Sequence, residues 1–136
     1  MTYLLDTGVW LRSVSREHTI PPDVLAILKM REELFALPAI SLWEIGKKVQ
    51  VGKLPLPKDL PGWFAGALTP NLLLLPLTPE IVADAMRLPD FPNRDPADEL
   101  IVATARVHTL SLLTTDTKLK NYRHARIHYF KPLEPK

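Results

Sequence analysis

The chain of 136 residues contains no cysteine. That removes disulfides, thiolate zinc sites and cysteine nucleophiles from consideration. Amide side chains are scarce as well, with one Gln and three Asn, against 14 Pro. Few thermolabile amides and many loop prolines are a bias of heat-stable proteins. No apolar run approaches the roughly 20 residues needed to span a bilayer; the longest centres on Leu72-Leu73-Leu74-Leu75. Residues 1–6 show no signal-peptide pattern. An excess of one charge is also missing: 17 Lys and Arg against 15 Asp and Glu leave +2, with a pI near 9.0. That balance admits a nucleic-acid partner, but any polyanion must be gripped by scattered Lys and Arg, because no long basic run exists. A soluble cytoplasmic protein with no membrane partner is expected.

What is present suits one compact domain over residues 1–136. Hydrophobic residues make up 46% and charged residues 24%, which fits neither a disordered chain nor a fibre. The apolar period switches repeatedly. Short apolar runs at Tyr3-Leu4-Leu5, Leu34 to Pro38, Leu72 to Leu77, Leu110 to Thr114 and Arg126 to Phe130 read as strands. Helical stretches are expected from about Gly8 to Ser15, from Pro22, from Ser41 to Val51 with Gly52 as the stop, and from Leu60 to Leu68. Further helices follow Thr78-Pro79-Glu80 to about Leu88, Asp95-Pro96 to about His108, and Asp116 to Tyr122. Alternating strands and helices predict an α/β fold, a central parallel sheet flanked by helices on both faces. Right-handed crossovers then place the carboxyl ends of all strands on one edge, where ligands of such folds bind.

Four acids fall at that edge: Asp6, Glu44, Asp98 and Asp116. Each has a local explanation. Asp6 and Asp116 follow strands and can cap helices. Ser41-Leu42-Trp43-Glu44 fits a capping box. Asp95-Pro96-Ala97-Asp98 fits an N-cap, a first-position proline and a first-turn acid. Taken one at a time, capping is the better reading. Together they place several like charges in one cleft, and helix N-termini offset only about 0.3–1 kcal/mol each. A divalent cation with oxygen ligands, Mg²⁺ or Mn²⁺, relieves such repulsion. This points to metal-dependent phosphodiester chemistry.

The segments Tyr3-Leu4-Leu5-Asp6-Thr7, Ser41-Leu42-Trp43-Glu44-Ile45, Arg94-Asp95-Pro96-Ala97-Asp98 and Thr114-Thr115-Asp116 together resemble the four motifs of PIN-domain ribonucleases. The order and spacing are similar to those of VapC-type toxins of type II toxin–antitoxin systems, and Gly52-Lys53-Leu54-Pro55-Leu56-Pro57 resembles the loop after the second motif in one branch of them. The resemblance implies a single PIN-like domain and a metal-dependent endoribonuclease. It makes Asp6, Glu44, Asp98 and Asp116 the catalytic and Mg²⁺- or Mn²⁺-binding acids, with Thr114 as the hydroxyl that orients an acid or a water. It further implies an RNA substrate, a cognate antitoxin and a homodimer. Two positions depart from the branch pattern: Glu99 stands where Arg is frequent, and Ala97 where an aromatic is frequent.

Other residues carry competing readings. The four histidines, His18, His108, His124 and His128, lie outside the motifs and give no support to a two-histidine mechanism. Lys47 and Lys48 have helical spacing to Glu44 or meet phosphate. Arg12 and Arg94 are candidate phosphate contacts, and Asp95 is a further acid near the site. Trp43 is expected in the core, whereas Trp10 and Trp63 are candidates for base stacking or a protein interface. The apolar 54–64 segment with Trp63 supplies area for a dimer contact, and the first helices, near Trp10, Leu11 and Leu28, a groove for the antitoxin. Two other functions remain: a catalytically weak PIN-fold binding module, and a DNA-directed nuclease of related fold. An aspartyl nucleophile of the Asp-x-Asp kind is excluded by Gly8, two residues after Asp6.

Overall fold

A computed structural model describes residues 1–134. Five strands form one all-parallel sheet in the order β3-β2-β1-β4-β5. They are β1 (Tyr3–Leu5), β2 (Phe35–Pro38), β3 (Leu72–Leu75), β4 (Ser111–Thr114) and β5 (Ile127–Tyr129). The helices between them are α1 (Thr7–Ser15), α2 (Pro22–Leu28), α3 (Ile40–Gln50), α4 (Leu60–Ala67), α5 (Pro79–Ala85) and α6 (Pro96–Val107). A short 3₁₀ turn at Glu17–Thr19, not anticipated from the sequence, links α1 to α2.

The strands are apolar on both faces because both faces are covered. Register makes this concrete. Leu4 lies beside Ala36 and Leu112, while Leu5 lies beside Leu113 and Tyr3 beside Phe35. Leu4, Ala36 and Leu112 pack on Ile101, Val102 and Ala105 of α6. Leu5, Phe35, Leu37 and Leu113 pack on the other face against Val9, Trp10, Val24, Ile45 and Trp63. Alternate residues of one strand thus serve two cores, as a period of two requires. Helix α5 packs on α6, burying Ile81 and Ala85 against Ala103. No helix among the described residues is long and apolar enough to cross a membrane.

Helix termini follow the sequence signals closely. Pro occupies the first turn of α2, α4, α5 and α6, where its missing N–H has no partner to lose. Thr78, Asp59 and Asp95 supply side-chain caps. Helix α3 stops where Gly52 takes φ of 77°, the left-handed turn that favours glycine.

Three expectations fail. Residues 116–122 form a chain of turns instead of a helix. Asp116 Oδ1 accepts from Lys118 N at 2.9 Å, closing a local loop that competes with helix formation. The Ser41–Glu44 capping box is absent. Helix α3 begins earlier, at Ile40, with Ala39 already in helical geometry and no side-chain cap, so Ser41 and Glu44 both lie inside the helix. The tryptophans are also inverted. Trp10 is fully buried, with its Nε1 donating to Ala67 O at 3.0 Å, and Trp63 packs edge-on against it at 5.2 Å. Trp43 is 59% exposed. Trp10 and Trp63 are therefore core residues, unable to stack bases or meet a partner.

Candidate active site

Strand β1 stands at the centre of the sheet. The chain moves outward from it through β2 and β3 on one side, then returns to lay β4 and β5 on the other. The crevice beyond the carboxyl ends of β1 and β4 is the topological switch point, where open parallel sheets bind ligands. Asp6 follows β1 there, and Thr114 ends β4.

Asp6 caps α1 through a 2.8 Å bond from Thr7 N to Oδ1, and its Oδ2 accepts from Thr114 Oγ1 at 2.6 Å. Burial pushes its carboxyl above the usual range. The two hydrogen bonds pull the other way, Asp116 adds to the rise, and Lys48 subtracts from it. Glu44 projects from α3 toward the same crevice, where Thr7 Oγ1 donates to its Oε1. Its carboxyl is also raised, first by burial, with Asp6 and Asp95 adding to the shift and the Thr7 bond and Lys48 opposing it. Asp98 lies in the first turn of α6, and Asn93 Nδ2 donates to its Oδ2 at 3.2 Å. Burial, then the negative charges of Asp95, Asp6, Asp116 and Glu44, push Asp98 up to about 7. Asp116 is half-buried beyond β4, its backbone N–H donating to Thr114 Oγ1 at 3.0 Å.

The fold therefore gathers the four predicted acids, with Asp6, Asp116 and Glu44 all within electrostatic range of Asp98. It does not make them converge. Among the described residues no three acidic or histidine side chains stand at a spacing that encloses one cation. Each of the four has an oxygen engaged by a local donor: Thr7 and Thr114 for Asp6, Thr7 for Glu44, Asn93 for Asp98, and Lys118 N for Asp116. The donor set is all carboxylate oxygen, which suits a hard divalent cation. The like charges that add to burial in raising Asp98 are a repulsion that such a cation relieves. On both counts Mg²⁺ or Mn²⁺ fits these residues.

Thr114 Oγ1 donates to Asp6 Oδ2. Asp95 is the α6 cap, accepting from Ala97 N at 2.9 Å, and its charge also bears on Asp98 and Glu44. Glu99 sits half-buried in the same first turn. Lys48 is the cation that eases the charge on Asp6 and Glu44, whereas Lys47 Nζ bonds Gln50 Oε1 at 2.7 Å. Arg12 is not at the acids. It pairs with Glu134, and its buried Nη1 has no hydrogen-bond partner. Arg94 is exposed on the loop before α6. No histidine enters the crevice: His124 lies 3.8 Å from Asp90, and His128 packs against Tyr3.

Three residues at the site were not singled out by sequence reasoning. Thr7 joins two elements, its Oγ1 meeting both Glu44 and the buried Ser41 Oγ, the latter at 2.7 Å. Ser41 had been assigned to a cap. Asn93 bridges Asp95 N and Asp98. The only sequence signal for it was an Asn in a proline-rich loop just ahead of a helix cap.

The PIN domain family matches residues 3–125. A curated relative, Ribonuclease VapC22 of Mycobacterium tuberculosis, is 34% identical over 125 residues, covering 92% of this chain and 95% of its own. The chain belongs to the PIN-domain family. Solved structures similar to this PIN domain include VapBC of Salmonella typhimurium bound to DNA, with a TM-score of 0.73 and 15% identity over 95% of this chain and 98% of that one. VapBC2 of Rickettsia felis bound to a promoter DNA fragment gives a TM-score of 0.72 and 17% identity over the same shares. At these identities the structural likeness speaks for the fold alone.

Proposed function

We propose that this PIN domain is a metal-dependent endoribonuclease, the toxin of a toxin–antitoxin pair. The observation that carries the reading is the gathering of Asp6, Glu44, Asp98 and Asp116 at the switch point, where burial first and then the negative charges of Asp95, Asp6, Asp116 and Glu44 push Asp98 up to about 7. The 34% identical relative is a ribonuclease, and the similar structures are toxin–antitoxin complexes. Both support bringing that function to this chain.

In this reading Asp6, Glu44, Asp98 and Asp116 hold Mg²⁺ or Mn²⁺. When bound, the ion supplies positive charge that neutralises the carboxylates and polarises a scissile phosphodiester. The protein's part is positioning. Thr114 orients Asp6, Thr7 orients Glu44 and Asn93 orients Asp98, and the carboxylates draw together around the ion from these positions. A binding module without catalysis has no use for four crowded carboxylates. A DNA-directed nuclease uses the same acids and is separated from an RNA-directed one only by substrate.

The test is incubation of the protein with RNA and with single-stranded DNA of one sequence, in Mg²⁺, Mn²⁺ and EDTA. Metal-dependent cleavage of RNA is expected, and Asp6→Asn is expected to lower it by more than about a hundredfold with the fold intact by circular dichroism. Undiminished cleavage in EDTA, or by Asp6→Asn, rules the reading out; cleavage of DNA alone selects the other nuclease. For the partner, the product of a short upstream reading frame, co-expressed, is expected to bind the protein and relieve growth arrest.

A further inference from the structure

The basic residues have no run in the sequence, yet their distribution is uneven. Residues 117–133 hold five Lys and Arg and no Asp or Glu. This segment carries +5 in a chain of +2, so the remainder is net negative. Chain direction sets where the charges lie. Strand β4 ends at Thr114 on the carboxyl edge, and β5, parallel to it, begins at Ile127 beside Leu112 near the amino edge. Residues 115–126 therefore descend one flank of the sheet, starting at Asp116. Lys118, Lys120, Arg123 and Arg126 are exposed along the descent, and Lys131 follows β5.

None of these five forms an ion pair among the described residues, whereas Arg12, Lys29 and Arg106 each do. Of the acids nearest the flank, Asp90 is exposed and lines one hollow with Lys118 and Arg123 but pairs with neither. Asp84 is held by Arg106 at 2.8 Å, and Asp90 faces His124 at 3.8 Å. Two hollows of about 530 and 440 Å³ lie along the path and share Arg123 and His124. Tyr122 and Tyr129 punctuate it, with Lys120 Nζ 5.1 Å from the Tyr129 ring centre.

We propose that this flank is the track that carries the phosphodiester backbone of RNA from the acid cluster toward the amino edge of the sheet. The proposal rests on the ribonuclease reading for the identity of the polyanion. A four-residue strand is about 13 Å long, so the descent spans roughly four stacked nucleotides at about 3.4 Å each. Basic side chains beside an edge strand also discourage another chain from pairing there. That alone does not account for the flank, because the opposite edge strand, β3, is four leucines with Leu73 and Leu74 exposed and no charge at all.

The experiment compares wild type, Arg123→Gln/Arg126→Gln and a control, Lys53→Gln/Lys58→Gln. The control residues are exposed and follow α3, where Leu54 and Leu56 pack on the sheet face opposite to that of Ala125 and Ile127. Binding of a 12-nucleotide RNA is measured in EDTA at several salt concentrations. Cleavage of a trinucleotide is measured with Mn²⁺. The flank variant is expected to bind the long RNA more weakly and to lose about 1.4 of the log–log salt slope, about sevenfold in affinity between 50 and 200 mM salt. The control is expected to keep the wild-type slope, and all three proteins to cleave the trinucleotide alike. A flank variant with wild-type affinity and slope overturns the track, as does a control that loses as much. Loss of antitoxin binding with RNA binding retained overturns it in favour of a protein partner. If wild type cleaves no RNA while the Arg123 and Arg126 dependence of RNA binding persists, the ribonuclease reading fails and the track stands.

Discussion

At the scale of single residues, the site balances charge against hydrogen bonding. The raised carboxyl of Asp98 fixes a sign. Its unfolded value is near 3.8 and its folded value about 7. Between these the unfolded chain has released a proton that the folded chain keeps, so stability falls as pH rises from about 4 and levels off above 7. Asp98→Asn is expected to melt higher than wild type at pH 7.5 in EDTA, by about 2–4 °C for each kcal/mol of strain removed, and to lose cleavage. Mn²⁺ is expected to raise the wild-type melt and to move the variant less. A variant that melts lower in EDTA identifies the carboxylate as a structural cap. Thr7→Val is a second case. It strips Glu44 of a donor and the buried Ser41 hydroxyl of its acceptor, at an expected cost of about 1–3 kcal/mol, read from urea unfolding. It also removes the bond that lowers Glu44, so that carboxyl is expected to rise further when followed by NMR titration. Asp6 could be placed at the sheet edge because β1 gives way there to α1, and Asp98 because Asp95-Pro96 marks the start of α6. Thr7, Ser41 and Asn93 were not legible, because a hydroxyl or amide serves local caps and distant carboxylates equally well. Only the fold decides which partner is near.

At the scale of elements, α6 shows one residue serving both fold and site. Asp95 caps the helix through Ala97 N and also pushes up Asp98. Two substitutions separate these roles. Asp95→Ala is expected to cost about 0.5–2 kcal/mol through the lost cap. Asp95→Asn keeps the cap and removes the charge, so Asp98 is expected to titrate lower and the loss of stability with pH to end earlier. Melting curves of both variants from pH 4 to 8 check this; equal behaviour removes the electrostatic role. Element types were readable wherever proline, glycine or a capping side chain marks the boundary, as at Pro96, Pro79 and Gly52. The reading failed after β4, where Thr114-Thr115-Asp116 carries a helix-start signal. There the Asp116 side chain closes on Lys118 N instead, and the chain turns. Trp43 was misread for a different reason. Its helix buries Ser41 and Ile45, which turns the tryptophan outward, and periodicity within one helix does not say which stripe the sheet will cover.

At the scale of the molecule, the proposed homodimer needs a new surface. Trp63 is 6% exposed and anchors the core, so the 54–64 segment does not offer the contact expected of it. Exposed apolar side chains are found instead at Leu73, Leu74 and Leu77, along and just after edge strand β3, at Val82 of α5 and at Met86 just after it. Light scattering at micromolar concentration is expected to give about 31 kDa, twice the 15.4 kDa of one chain. Leu74→Glu is expected to shift the value toward 15 kDa if that edge forms the contact. The parallel sheet with helices on both faces was legible from the alternation of apolar periods. The strand order was not, since nothing local to β1 says that β4 will lie beside it.

That adjacency sets a timetable for the nascent chain. Strands β1, β2 and β3 can align from nearby sequence, but the bond from Thr114 to Asp6 spans 108 residues. Closing so long a loop is slow relative to local pairing. At about 5–20 residues per second of synthesis, a ribosome still translating residue 100 holds a chain in which Asp6 has no Thr114 to fix it. The four-acid cluster is thus completed only once β4 and Asp116 have been synthesised. A prematurely terminated product, lacking β4, is expected to be harmless to the cell that made it.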